Sequence, residues 1–183
     1  MIYKTLRHLR NKGLVATGKK IINKISGLNL YEYLILQNRI ERSNYAYCCY
    51  HAASLASKLG HSKMSVIEFG CAGGTGLIAL EAICKKVSAM TGVEIEIFGF
   101  DTGEGLPEPK DYRDLPYNWE RGFYKMKKDI LEPKLQKSTI VYGNVEDTIN
   151  TFIKNYNPAV IGCAFHDFDY YSSTKAAFQL FTE

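Results

Sequence analysis

The run Val66-Ile67-Glu68-Phe69-Gly70-Cys71-Ala72-Gly73-Gly74-Thr75-Gly76-Leu77-Ile78 carries the densest chemical pattern in the chain. An apolar stretch holds an acid near its end, glycines follow at 70, 73, 74 and 76, and an apolar helical pattern begins. Glycine removes the side chain where a backbone must turn sharply or approach a ligand. The first N–H groups of the following helix have no partner inside the helix and face whatever lies over the turn. In open α/β sheets, ligands sit at such carboxyl ends of strands. The pattern points to a flat or polar molecule of nucleotide type. A phosphate-cradling loop would need Lys and then Ser or Thr after its last glycine, and Leu77-Ile78 stand there instead. A dinucleotide fingerprint can be drawn through Gly74, Gly76 and Ala79, but it begins several residues past the strand end at Glu68. An NAD-dependent oxidoreductase therefore stays open as an alternative, as does a glycine-rich connection that binds nothing.

The elements that must position this turn follow from periodicity. Ser65–Phe69 reads as a first strand, Thr75–Met90 as a helix, and Val93–Phe100 as a second strand ending in Asp101. Strand, helix and strand make the βαβ unit of a parallel sheet, with a right-handed crossover that sets the second strand beside the first. Asp101 then emerges at the same edge as the glycine turn. A carboxylate there can accept two hydrogen bonds from a ribose hydroxyl pair, or it can cap a backbone turn. Thr139–Tyr142 is a third strand, followed by Gly143-Asn144-Val145, where Asn144 lies near an adenine edge. Asp147 or Thr148 is expected to cap the next helix, which runs to about Asn155. Ala159–Phe165 is a fourth strand opening into His166-Asp167-Phe168-Asp169, and Ser173 or Thr174 is expected to cap a last helix through Leu180. The fold class is α/β, a Rossmann-like doubly wound parallel sheet of about four strands, preceded by N-terminal helices.

Residues 31–59 read as one helix, with Tyr45, Cys48, Ala52, Leu55 and Leu59 at three- and four-residue steps and Gly60 at its end. It is expected to pack on the sheet and cover the mouth of the site, where Tyr47, Tyr50 and His51 could reach a substrate. Residues 101–126 carry three prolines, several glycines and clustered aromatics, so they read as a long lid rather than a disordered linker.

At 183 residues, with 46% hydrophobic and 23% charged residues, the chain has one domain's worth of core. The net charge of +4 is unevenly spread: residues 1–30 carry +7 and the remainder −3. Residues 1–30 are read as a basic amphipathic segment, with Ile2, Leu6 and Leu9 followed by Ile21, Ile22 and Ile25 among the Lys and Arg residues. Residues 1–25 could contact an anionic membrane surface or an acidic partner, or pack on their own domain or on a second copy in a homo-oligomer. Nucleic acid is not expected, because no basic patch interleaved with aromatics continues into the domain. Five cysteines without Cys-x-x-Cys spacing, and no signal peptide, imply a reduced, cytoplasmic setting. No apolar run approaches the length of a membrane span.

Three blocks together resemble the macrocin O-methyltransferase-like branch of the class I S-adenosylmethionine-dependent methyltransferases: Glu68 to Gly76, Gly99-Phe100-Asp101-Thr102-Gly103-Glu104-Gly105-Leu106-Pro107, and Asp167-Phe168-Asp169-Tyr170-Tyr171-Ser172-Ser173-Thr174. Arg113-Asp114-Leu115-Pro116-Tyr117 and Gly143-Asn144-Val145-Glu146-Asp147-Thr148 look like further pieces of a bacterial subgroup near it. The resemblance covers roughly residues 45–181, inside an S-adenosylmethionine-binding domain over residues 31–183. It implies that Glu68 with Gly70, Gly73, Gly74 and Gly76 holds the methionine end of S-adenosylmethionine. Asp101, with Thr102, would hold the ribose, and Asn144 and Val145 would flank the adenine. It further implies a sugar or glycan hydroxyl as acceptor, Asp169 as general base and Asp167 as a magnesium ligand. His166 stands where the family usually carries an apolar residue, which leaves it as a ligand, a proton relay or a neutral change. The family continues past the fourth helix with further strands, so the resemblance implies a fragment, or a chain whose fourth strand another chain covers. A truncated module that binds cofactor or partner without turnover is the corresponding alternative.

Overall fold

The computed structural model describes residues 27–182, so the expectations for residues 1–25 lie outside the described residues. The chain divides into two units, residues 1–47 and 48–183. In the first, helix α1 (Leu30–Leu36) starts on Asn29, whose side chain accepts from the N–H groups of Tyr31 and Glu32 while Glu32 accepts from Asn29 N–H. This reciprocal capping box satisfies N–H groups that the first turn leaves unbonded. Helix α2 (Ser43–Lys58) begins in the first unit and ends in the second. The single helix expected over residues 31–59 is therefore two. Asn38 and Arg42 both adopt positive φ between them, a conformation that helical residues do not take. Gly60, at φ +84°, ends α2 as expected, with His61 N–H reaching back to Ala56 O at 2.9 Å.

The second unit is built on a parallel sheet of order β3-β2-β1-β4. Its strands are β1 (Lys63–Phe69), β2 (Glu94–Asp101), β3 (Ser138–Tyr142) and β4 (Ile161–His166). Helix α3 (Thr75–Thr91) joins β1 to β2, and α5 (Val145–Tyr156) joins β3 to β4. A single-turn helix, α4 (Lys128–Leu131), lies in the β2–β3 connection, and α6 (Tyr171–Ala177) follows β4. The strands pair in register, with Phe69 opposite Phe100 and His166, and Asp101 opposite Tyr142. All four carboxyl ends therefore open on one edge. The chain order reverses between β1 and β4, the position where open α/β sheets form a ligand crevice.

Burial explains why these segments form these elements. In β1, Met64 through Phe69 are all buried, the continuous pattern of a central parallel strand covered on both faces. Helix α5 places Val145, Ile149 and Phe152 on one stripe, and all three join Ile67, Phe69, Phe98, Phe100 and Val141 in the core. Phe152 meets Phe98 and Phe100 edge-on, each at 5.0 Å between ring centres. Gly162 lets β4 close against β1 and α2: a Cβ there would lie 2.6 Å from Met64 Sδ and 3.4 Å from Ala52 Cβ. The five cysteines are free thiols, and Cys49, Cys71 and Cys84 are buried. Among the described residues no helix is long and apolar enough to cross a membrane.

Candidate cofactor and acceptor site

The glycine turn leaves β1 at Gly70, whose φ of +87° suits glycine. A Cβ there would stand 2.6 Å from Asp167 O, because the β4 exit passes directly against it; Asp167 N–H donates to Phe69 O at 2.8 Å. Gly74, at φ +75°, lies under Leu131, and a Cβ would come within 2.1 Å of that side chain. At Gly76 the neighbour is the carboxylate of Glu68, 1.7 Å from an added Cβ, and Glu68 is only 1% exposed. Gly73 differs from the other three, since nothing lies within 4 Å of its missing side chain. It is the open face of the turn.

Asp101 determines the shape of this turn. Its Oδ2 accepts the N–H groups of Cys71 at 2.9 Å and Ala72 at 2.8 Å, and its Oδ1 accepts Gly103 N–H at 2.7 Å. Ala72 is held at φ +45°, a conformation that costs an alanine roughly 1–3 kcal/mol unless its surroundings impose it. The turn-capping role is thus realised. A carboxylate has about four acceptor positions, so three N–H donors leave capacity for one more. Burial, followed by the charges of Glu68, Asp101 and Asp167, pushes the Cys71 thiol well up, which removes it as a nucleophile.

Thr102 builds the adjoining bend: its hydroxyl donates to Gly105 O at 2.6 Å and accepts Glu104 N–H at 3.1 Å. Glu104 pairs with Lys125 and Lys128, whose hydrogen bonds lower its carboxyl to about 2. Lys128 also lies over the Tyr142 ring at 4.7 Å. Asn144 is exposed at the start of α5 with its backbone extended, and its own carbonyl accepts from Asp147 N–H and Thr148 N–H. The expected cap, Asp147 or Thr148, is therefore replaced by Asn144 as the capping position. Thr148 sits inside the helix and its hydroxyl donates back to Asn144 O at 3.1 Å. Val145 is buried among the core residues.

At the β4 exit, His166 lies in an aromatic stack, parallel to Phe178 at 4.5 Å and inclined by 26° to Phe69 at 4.9 Å. Burial lowers its pKa, favouring the neutral ring, and its Nδ1 is buried without a hydrogen-bond partner. These surroundings suit packing better than proton relay. Asp167 and Asp169 are both exposed, and partial burial, then the Asp167 charge, raises the Asp169 pKa. Among the described residues no three His, Cys, Asp or Glu side chains gather as a metal site.

The residue that sequence reasoning left without a role is Asp114. It is 0% exposed and accepts from Lys110 N–H at 2.9 Å, Ser172 N–H at 2.8 Å and Ser172 Oγ–H at 2.8 Å. Burial alone would raise its carboxyl; the Ser172 and Lys110 bonds prevail and hold it below the usual range. Helix α6 thus starts at Tyr171 and is capped from the lid, not by Ser173 or Thr174 as expected. Tyr170 adds a second tie, its hydroxyl donating to Pro107 O at 3.3 Å and Trp119 O at 3.5 Å. The long connection after β2 is therefore a fastened lid, irregular but for short turns at Tyr112–Asp114, Lys128–Leu131 and Glu132–Lys134. No local signal in the sequence links Asp114 to Ser172.

No protein-family model matches the chain. No curated protein matches it either. Among solved structures it is similar to the crystal structure of CalS11, a calicheamicin methyltransferase, with a TM-score of 0.57 and 20% identity over 93% of this chain and 72% of that one. It is also similar to the apo structure of CalS11, described as a TDP-rhamnose 3'-O-methyltransferase of calicheamicin biosynthesis, with a TM-score of 0.46 and 20% identity over 94% and 73%. At this identity the first likeness shows the fold, a Rossmann-like α/β sheet of the kind that methyltransferase uses.

Proposed function

We propose that this chain is an S-adenosylmethionine-dependent O-methyltransferase whose acceptor is a sugar or glycan hydroxyl. The observation that carries the reading is the glycine turn at the sheet's switch point, open at Gly73 and flanked by the Glu68 and Asp101 carboxylates. The fold shared with CalS11 supports methyl transfer, and the resemblance of the sequence blocks to the macrocin O-methyltransferase-like branch supports the acceptor class.

The residues present fit the cofactor. Glu68 and the turn would hold its methionine end, with Gly73 supplying the open approach. Asp101, with acceptor capacity to spare, would take a ribose hydroxyl beside Thr102. The exposed amide of Asn144 and the backbone of Val145 would border the adenine. When bound, the cofactor supplies a methyl group activated by a positively charged sulfur. A sugar hydroxyl is a poor nucleophile until its proton is being removed. Asp169 is assigned that proton, because its raised pKa brings a carboxylate closer to working pH than an ordinary Asp. Alignment of the hydroxyl with the methyl carbon then supplies most of the acceleration.

Magnesium favours oxygen ligands, and the Asp167–Asp169 pair offers them. Among the described residues no third such ligand gathers beside them, and Asp169 takes the proton by itself. The same two-carboxylate set favours a second reading, a module that binds the cofactor without turnover. Calorimetric titration with S-adenosylmethionine is the decisive experiment. Absence of both heat and thermal shift at saturating cofactor overturns the proposal; binding without transfer to any sugar acceptor selects the second reading.

A further inference from the structure

We propose that Cys49 and Cys163 form an oxidation site: a hydroperoxide that reaches Cys163 on β4 joins the two in a disulfide, which braces helix α2 against that strand. The inference goes beyond the methyltransferase reading and does not depend on it, since no step of that reading uses a thiol.

The fold gathers thiols that the sequence keeps far apart. Strand β4 pairs in parallel with β1, and a register shift between Ser65 and Val66 sets Cys163 opposite Val66. Ile67 and Phe69 face the core that α5 covers, so Val66 and Cys163, on the alternate positions, face the other side of the sheet. Helix α2 packs on that side: a Cβ at Gly162 would stand 3.4 Å from Ala52 Cβ. Ala52 is about one helical turn beyond Cys49. Ala46, Cys49, Ala53 and Ala56 make the buried stripe of α2, and their small side chains let the helix approach closely. Across this contact the Cys49 thiol hydrogen-bonds with the thiols of Cys163 on β4 and Cys84 on α3.

Exposure decides which thiol an oxidant meets. Cys49 and Cys84 are buried, whereas Cys163 is half-buried on β4, the last strand of the sheet among the described residues. Cys48 is exposed, but as the adjacent helical residue it is turned away from the stripe that holds Cys49. The bonds to Cys163 and Cys84, then burial, push the Cys49 thiol well up, so it stays protonated and unreactive until its neighbour is oxidised. A hydroperoxide transfers one oxygen to the Cys163 sulfur, giving the sulfenic acid and leaving as water or an alcohol. The Cys49 sulfur then attacks the Cys163 sulfur, and the displaced hydroxyl departs as water with the Cys49 proton. Two thiols are oxidised to one disulfide and one peroxide is reduced. The contact already present between the two sulfurs favours this closure over further oxidation of Cys163. The new bond closes a long loop and so restricts the unfolded chain more than the folded one.

The probe is hydrogen peroxide, added to the intact, fully reduced chain and followed by thiol alkylation, whole-protein mass and peptide mapping. A monomer lighter by two hydrogens is expected, with the five free thiols reduced to three and a peptide pair joining Cys49 to Cys163. The melting temperature should rise by about 5–10 °C and return to its starting value with dithiothreitol. Cys48→Ser should still form the bond. Cys49→Ala should abolish it, and Cys163→Ser, at a half-buried position, decides the point should the Cys49 variant fail to fold. A bond from Cys49 to Cys84 or from Cys48 to Cys163, a product linked between two chains, or Cys163 accumulating as its sulfinic acid beside a free Cys49 would overturn the pair. A bond between Cys49 and Cys163 with no gain in melting temperature would overturn the brace. Whether S-adenosylmethionine binds changes none of these outcomes, so this site and the methyltransferase reading fail separately.

Discussion

Replacing Asp101 by Ala separates two roles that a simple binding measurement would merge. The carboxylate accepts three N–H groups, from Cys71, Ala72 and Gly103, at 2.7–2.9 Å. A hydrogen bond to a charged group contributes about 1.5–3 kcal/mol, but the turn is open and water can replace part of that, so the loss should total about 2–4 kcal/mol. For a chain of this size that corresponds to a fall in melting temperature of about 5–15 °C. A second substitution tests the cause. Ala72 is kept at φ +45° by Asp101, so adding Ala72→Gly to the Asp101→Ala variant should restore about 1 kcal/mol by relieving the strain. Thermal melts of the unliganded proteins measure the turn, and calorimetry with S-adenosylmethionine measures the ribose contact. Weakened cofactor binding persisting in the double variant would assign Asp101 a direct contact. An Asp101→Ala protein that melts with the wild type would refute the cap and the reasoning built on it.

The glycines offer a matched pair. Gly76→Ala drives a Cβ against the buried Glu68 carboxylate and should cost about 1–3 kcal/mol, read as a lower melting temperature. Gly73→Ala meets nothing within 4 Å, so it should melt with the wild type and yet bind cofactor more weakly; undiminished affinity would show that the ligand lies elsewhere. Asp169→Asn should lower methyl transfer by about 10²–10⁴-fold with cofactor affinity retained, and wild-type rates should fall with decreasing pH sooner than for an ordinary Asp base, because its pKa is raised. Glu81 accepts from the N–H groups of Gln136, Lys137 and Ser138 and from the Ser138 hydroxyl. Burial opposes its ionisation, yet those bonds lower its pKa, so its stabilisation is present above the ordinary Glu range and lost as pH falls through the lowered value. Glu81→Gln should therefore cost about 1–2 kcal/mol at neutral pH and progressively less in acid, measured by denaturant unfolding.

What could be read from the sequence was what neighbouring residues decide together. The apolar run into Glu68, the three- and four-residue steps of α3 and α5, and the polar connections between them placed the four strands within two residues of their observed ends, because burial on a central parallel sheet imposes those patterns. The break in the first long helix was hidden. Residues 37–42 contain no proline or glycine, and the turn depends on Asn38 and Arg42 accepting positive φ. The same limit governs the site. Four glycines announced a turn, but the donor set that shapes it closes on Asp101, some thirty residues away, and the lid closes on Ser172 through Asp114 across a separation of 58. Only the sheet register brings those partners together. Sequence reasoning set turn capping and ribose binding against each other as uses of Asp101. The geometry makes them compatible, since a carboxylate that has oriented three N–H donors is already rigidly placed for one more. Preorganisation of this kind lowers the cost of binding. The carboxylate that builds the turn is therefore also the group best prepared to hold what the turn receives.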